Sequence, residues 1–297
     1  MGLSFLKLHT SIILAGFTGI FGKLILLAEG PLVWWRLLLT CLLLVTYLSF
    51  KKELPRVRLR EALVLCGIGA LLAIHWMLFY GSIKYANVSI CVVCFASIGF
   101  FTAVFEPLTH KRLPSLRELS FSLLTILGIA LIFHFDTQFR TGIILGVLSA
   151  AVGCAFTLCT KEVGGRYSSS TILFFQMIGG FVFLTLFAPL YLSFFPGMNL
   201  TPGLMDFVYL LILSSVCTIG LFILEIQSLQ EISAFTVNLS FNLEPVYSIA
   251  LAMLLFNEAQ ELGASFFVGL GLIAASVVLQ TLVTLRQTKG IRGRSGT

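Results

Sequence analysis

Ala62–Gly81 reads ALVLCGIGALLAIHWMLFYG, 20 residues without a single Asp, Glu, Lys or Arg. About 20 apolar residues of helix cross the hydrocarbon of a bilayer. The run does not alternate, and in hydrocarbon only helices or closed barrels satisfy their own backbone polar groups, so it reads as a helix. Comparable runs stand on either side: Leu8–Leu27, Leu32–Phe50, Val88–Leu108, Leu119–Phe135, Thr141–Thr160, Thr171–Phe195, Leu204–Leu229, Ala234–Phe256 and Leu262–Leu285. With Ala62–Gly81 they make ten expected transmembrane helices. Lys51–Glu61, Leu113–Glu118 and the tail after Arg286 are too short to bury a core of their own.

The 297 residues are 58% hydrophobic and 11% charged, with a mean hydropathy of +1.02. Soluble globules carry about 25% charged residues, so the solvent of this chain is lipid and the fold class is an all-α polytopic membrane protein. Only Lys7 and His9 mark the start of the first run, and no small-residue cleavage site follows it. It therefore reads as a retained span rather than a removed signal peptide.

Lys and Arg near span ends are held on the cytoplasmic side. An N-inside start places Lys7, the group Lys51, Lys52, Arg56, Arg58 and Arg60, then Lys111, Arg112 and Arg117, then Lys161 and Arg166, and finally Arg286, Lys289, Arg292 and Arg294 inside. Only Lys84 and Arg140 fall in outer loops, with Lys23 and Arg36 inside spans. Both termini are expected to be cytoplasmic, in a multi-pass protein of the cell (inner or plasma) membrane. The net charge of +6 is then topological and does not mark a nucleic-acid partner. The seven cysteines all fall in expected spans, and Cys91-x-x-Cys94 lacks a second ligand pair, so no metal or other cofactor is expected.

Weak echoes run in the same order through both halves: Lys23 with Lys161 at offset 138, Arg36 with Gln176 at offset 140, Ser82 with Ser228 at offset 146. An odd number of crossings inverts the second copy, so the chain reads as two inverted five-helix repeats, residues 1–138 and 139–297. Inverted repeats place a binding site near the midplane between them.

The stretch Asn242-Leu-Glu-Pro-Val-Tyr-Ser-Ile-Ala-Leu-Ala-Met-Leu-Leu-Phe-Asn-Glu258 resembles the ninth helix of EamA-type permeases in the drug/metabolite transporter superfamily. A first-half counterpart runs from Ser97 to Arg112, with Gly99 where the proline stands and Arg112 where the glutamate stands. The Lys23 and Arg36 placements are also similar to that family. The resemblance covers essentially the whole chain and implies a permease for amino acids, their analogues, other metabolites or drugs, with a lean towards export.

Ionisable groups inside a bilayer face the bundle interior, a cavity or a partner. Glu244 sits mid-span before Pro245, which removes a backbone hydrogen bond from the Phe241 carbonyl. Glu244 is therefore a candidate for proton coupling as well as solute binding, and a structural bond to a neighbouring helix is its other reading. At 100° per residue, Ser233, Ser240, Glu244 and Tyr247 share one stripe, with Asn238 and Asn242 roughly opposite. In the third span His75 shares a face with Phe79 and Ser82, and Trp76 adjoins with Tyr80. This reads either as an aromatic wall with polar tips or, for Trp76 and Tyr80, as part of an interfacial belt. His75 is a second candidate for proton coupling, with a packing role as its alternative. Arg36, after Trp34 and Trp35, suits clamping a carboxylate of the solute or of Glu244, and also suits snorkelling. The stripe Ser214, Thr218, Phe222 and Glu225 lines an inner vestibule or packs on the ninth helix, while Lys23 and Lys161 read as snorkelling.

The expected solute-binding set is thus Arg36, His75, Trp76, Tyr80, Asn238, Asn242, Glu244 and Tyr247. The chain has no G-x-x-x-x-G-K-[ST] phosphate loop, so energy comes from the solute gradient or a coupled ion. It has no H-E-x-x-H motif and no nucleophile with a base, so an enzyme is not expected. A secondary transporter for an amino acid or related polar solute, with lipid as its surroundings, is the leading reading. A membrane sensor or scaffold, and a transporter of drug or nucleoside-type solutes, are the alternatives. Monomer and homodimer both stand.

Overall fold

A computed structural model describes residues 2–279 apart from positions 110, 112, 136, 242 and 277. Helices follow the apolar runs in order: α1 (Gly2–Leu24), α2 (Glu29–Phe50), α3 (Leu59–Tyr85), α4 (Val88–Phe95), α5 (Ile98–Thr109), α6 (Leu116–Phe135), α7 (Arg140–Gly164), α8 (Ser169–Phe194), α9 (Leu204–Ser214), α10 (Leu221–Glu231), α11 (Ala234–Phe241), α12 (Glu244–Phe256) and α13 (Ala264–Ser276). No strand occurs among the described residues. Ser168 caps α8 by accepting from the Thr171 amide, and Asn87 caps α4 by accepting from the Ile90 amide.

The protein is a multi-pass helical bundle with seven helical stretches long and apolar enough to cross a membrane among the described residues. The other three expected runs appear as shorter apolar helices, Ser122–His134, Glu244–Phe256 and Ala264–Ser276. For the run Ala234–Phe256 the reason is local. Pro245 has no amide hydrogen to donate and is tolerated in the first turn of a helix, so the chain stops α11 at Phe241 and restarts as α12 at Glu244. The run from Leu262 continues past the described residues. Large apolar side chains such as Leu186, Leu254 and Phe194 remain on the outer surface, as a lipid solvent allows.

Small residues set the closest helix crossings. A Cβ on Gly69 would stand 1.9 Å from the Gln176 carbonyl oxygen, and one on Gly179 would stand 2.2 Å from that of Cys66, so α3 and α8 meet backbone to backbone. Gly128 and Gly269 do the same for α6 and α13, each facing the other's carbonyl.

Many contacts come in pairs. α3 packs on α7 as α10 packs on α1, and α4 packs on α12 as α5 packs on α11. Ser82 at the end of α3 donates to the Gly142 carbonyl at the start of α7 (2.7 Å), and Ser228 at the end of α10 donates to the Ser4 carbonyl at the start of α1 (3.2 Å).

Lys23 and Lys161 bond within the bundle instead of snorkelling. Lys161 donates to the Leu229 and Ile232 carbonyls and so satisfies the end of α10. Lys23 pairs with Glu258 at 2.8 Å. Glu258 also accepts from the Val88 and Ser89 amides and the Ser89 hydroxyl, at the positive end of α4. Burial alone would raise the Glu258 carboxyl, but these bonds from Lys23 and Ser89 outweigh it and hold the group below its usual range.

Candidate functional site

A cavity of about 70 Å³ lies inside the bundle. Its walls come from α1, α2, α3, α4, α5, α7, α10, α11 and α12, so both halves of the chain contribute. Arg36, His75, Trp76, Asn238 and Glu244 of the expected set line it, joined by Glu225. The remaining surface is apolar apart from Thr18 and Thr157 and includes Phe79, Phe95, Phe156, Phe222 and Phe241.

Arg36 is fully buried. Its Nε donates to Thr218 Oγ1 at 2.8 Å, one terminal nitrogen to the Tyr80 hydroxyl at 2.7 Å, and the other to the Cys217 carbonyl at 3.2 Å. Its guanidinium carbon lies 3.7 Å from the centre of the Trp76 ring, a cation–π contact in a site that excludes lipid. The Cys217 carbonyl is available because Ser215–Gly220 forms a π-helix between α9 and α10, where the ordinary hydrogen-bond register is broken. Arg36 does not snorkel, and it forms no ion pair with Glu244 among the described residues. Its planar fork instead ties α2, α3 and the π segment together at the cavity wall.

Tyr80 is buried behind that wall and serves as the Arg36 acceptor, without lining the cavity. Burial of Trp76 and Tyr80 removes the interfacial-belt reading for both. Trp34 and Trp35 point elsewhere, donating to Thr185 Oγ1 and the Leu200 carbonyl and lining a second, apolar cavity against α8. His75 Nδ1 lies 3.0 Å from the Ser149 carbonyl oxygen and 2.9 Å from the Ser149 hydroxyl, which orients the ring through α7. Gly153 makes room for it, since a Cβ there would stand 3.1 Å from Nδ1.

Asn238 donates to Thr102 Oγ1 at 2.9 Å, joining α11 to α5. The single-helix stripe through 233–247 does not survive the break between α11 and α12. Re-phasing at Glu244 puts Glu244 on the same cavity as Asn238, while Tyr247 lies outside that cavity with 41% of its surface exposed. Asn242 and Arg112 lie outside the described residues.

Glu225 and Glu244 are 7% and 3% exposed, and neither forms a hydrogen bond or ion pair with another described residue. Two carboxyl groups in one lipid-enclosed cavity without partners are the main departure from a merely structural polar core. Glu225 belongs to the sequence stripe Ser214, Thr218, Phe222 and Glu225, but its place in the cavity depends on the π segment, which no motif announces.

A model of the EamA-like transporter family matches residues 3–134 and 140–282. An uncharacterized transporter of Haemophilus influenzae is 27% identical over 158 residues. That alignment spans 50% of this chain and 51% of the relative, about half the length of each. A solved crystal structure matches with a TM-score of 0.67 over 95% of this chain and 98% of its own, at 13% identity, a likeness of fold alone.

Proposed function

This chain belongs to the EamA-like transporter family, and from that premise we propose that it is a secondary transporter exporting a small organic metabolite, an amino acid or related polar solute. The observation that carries the reading is the cavity itself: a polar, aromatic-walled chamber built from both halves of a lipid-embedded bundle, with carboxyl groups left unpartnered. The mechanism is alternating access, in which residues 1–138 and 139–297 form inverted five-helix repeats that rock about the cavity. Two features support the repeat: the family model matches two consecutive segments, and the Ser82–Gly142 and Ser228–Ser4 bonds join corresponding helix ends. Glu244, with His75 lining the same cavity, is the proposed proton-coupling group. Export is the direction that the family resemblance favours.

Purified protein in liposomes is expected to move a labelled amino acid mixture across the bilayer without chemical change to it. Loss of the label into new products, or no movement by folded protein, would count against the reading.

Topology is tested separately, in a cysteine-free background. Leu26, 87% exposed after α1, is expected to label as cysteine only from outside the cell, and Arg56, exposed after α2, only from inside. The reverse pattern at either position would overturn the N-inside orientation in the cell membrane.

A further inference from the structure

We propose that Glu225 and Glu244 together form a receptor for a protonated primary amine, so that the solute is an amine carrying an apolar or aromatic body. The inference rests on the transport reading above and names the solute class of the same cavity. The two carboxyl groups come from α10 and α12, face one chamber, and are each more than nine-tenths buried. A buried carboxyl without a hydrogen-bond partner is costly, and the bundle gives neither one any partner among the described residues. The cavity's own cation does not fill the gap, because Arg36 is turned to Tyr80, Thr218 and the Cys217 carbonyl. A cation that arrives with the cargo completes the site, taking the place of a proton on the carboxyl pair.

The rest of the lining fits an ammonium better than the alternatives. Phe156 and Phe222 meet edge to face at 6.0 Å and both line the chamber, together with Trp76, one face of which is taken by Arg36. Such faces attract organic cations and accept an apolar body. A bare metal ion needs a shell of oxygen or nitrogen ligands, and no three His, Cys, Asp or Glu among the described residues are grouped to hold one. An anion would meet two carboxyl groups and a guanidinium already bonded to protein. Asn238, having given its amide hydrogen to Thr102, keeps its side-chain carbonyl as a further acceptor for an N–H.

The test compares three probes of one shape: 2-phenylethylamine, 2-phenylethanol and 3-phenylpropanoate, titrated into purified wild-type protein at neutral pH by calorimetry. The amine is expected to bind at least about tenfold more tightly than the alcohol or the acid, and Glu225→Gln and Glu244→Gln are each expected to weaken it at least about tenfold. Equal or tighter binding of the alcohol or the acid, no binding of the amine, or unchanged amine affinity in both folded variants would overturn the proposal. Should either variant not fold, the ranking of the three probes on the wild type decides alone. The same preparation in liposomes separates the two readings. Movement of labelled amino acids without amine preference removes only the receptor, whereas amine binding through the carboxyl pair with no solute movement removes only the transporter.

Discussion

Arg36→Lys is expected to lower the initial transport rate in liposomes at least about tenfold, with membrane abundance close to wild type. Lysine keeps the positive charge but replaces a planar fork by a single ammonium on a flexible stem. It cannot reach Thr218, Tyr80 and the Cys217 carbonyl at once, and it cannot stack on Trp76 as the guanidinium does at 3.7 Å. Each lost bond to a charged donor is worth about 1.5–3 kcal/mol, and about 1.4 kcal/mol is a factor of ten. The loss falls on the wall that positions Trp76 and the π segment, so solute affinity and rate should decline together while the protein still inserts. Tyr80→Phe, which removes only one acceptor, should give a smaller loss in the same direction. Full activity of Arg36→Lys would show that the site needs only a charge at this position, and that the network is dispensable.

The apolar runs were legible because lipid imposes one rule on every span, and helices follow them in order, seven stretches among the described residues being long and apolar enough to cross a membrane. Arg36, His75, Asn238 and Glu244 were legible for the same reason, since each is an expensive residue at membrane depth, and Trp76 was legible from the helix face it adjoins. What periodicity could not supply was phase. A 100° wheel through 233–247 assumes one helix, and the chain makes two, which separates Tyr247 from Glu244 and brings Glu244 round to Asn238. The π-helix at 215–220 has the same effect on the eighth run. It leaves the Cys217 carbonyl to Arg36 and precedes the turn of α10 that carries Glu225 to the cavity, and the helices packed beside it are α1 and α2. Whether Arg36 would pair with Glu244 was likewise a tertiary question, decided by Tyr80 and Thr218 reaching the guanidinium first.

Glu244→Gln is expected to abolish the stimulation of transport by an imposed pH gradient while leaving solute exchange in place at saturating solute. The substitution keeps the size and hydrogen-bonding capacity of the side chain and removes only its titration. Its position suits coupling: Glu244 opens α12 beside Pro245, is almost fully buried, faces the cavity, and has no fixed partner among the described residues. A carboxyl held by a permanent ion pair could not release and rebind a proton as the cavity changes sides, and here the nearest candidate for such a pair, Arg36, is engaged elsewhere. The groups that share its electrostatic surroundings are Glu225 on α10, Arg36 on α2, His75 and Tyr80 on α3, and Cys91 on α4. Glu225→Gln is the informative companion. If Glu244 alone carries the proton, Glu225→Gln keeps a response to the pH gradient even where it weakens solute binding. If the two carboxyls share it, either substitution removes the response. The measurement is uptake of labelled solute into liposomes with and without an imposed gradient, at solute concentrations raised to saturate each variant. Undiminished pH-driven uptake by Glu244→Gln would leave Glu244 as a solute-binding group and move the search for the coupling residue to His75.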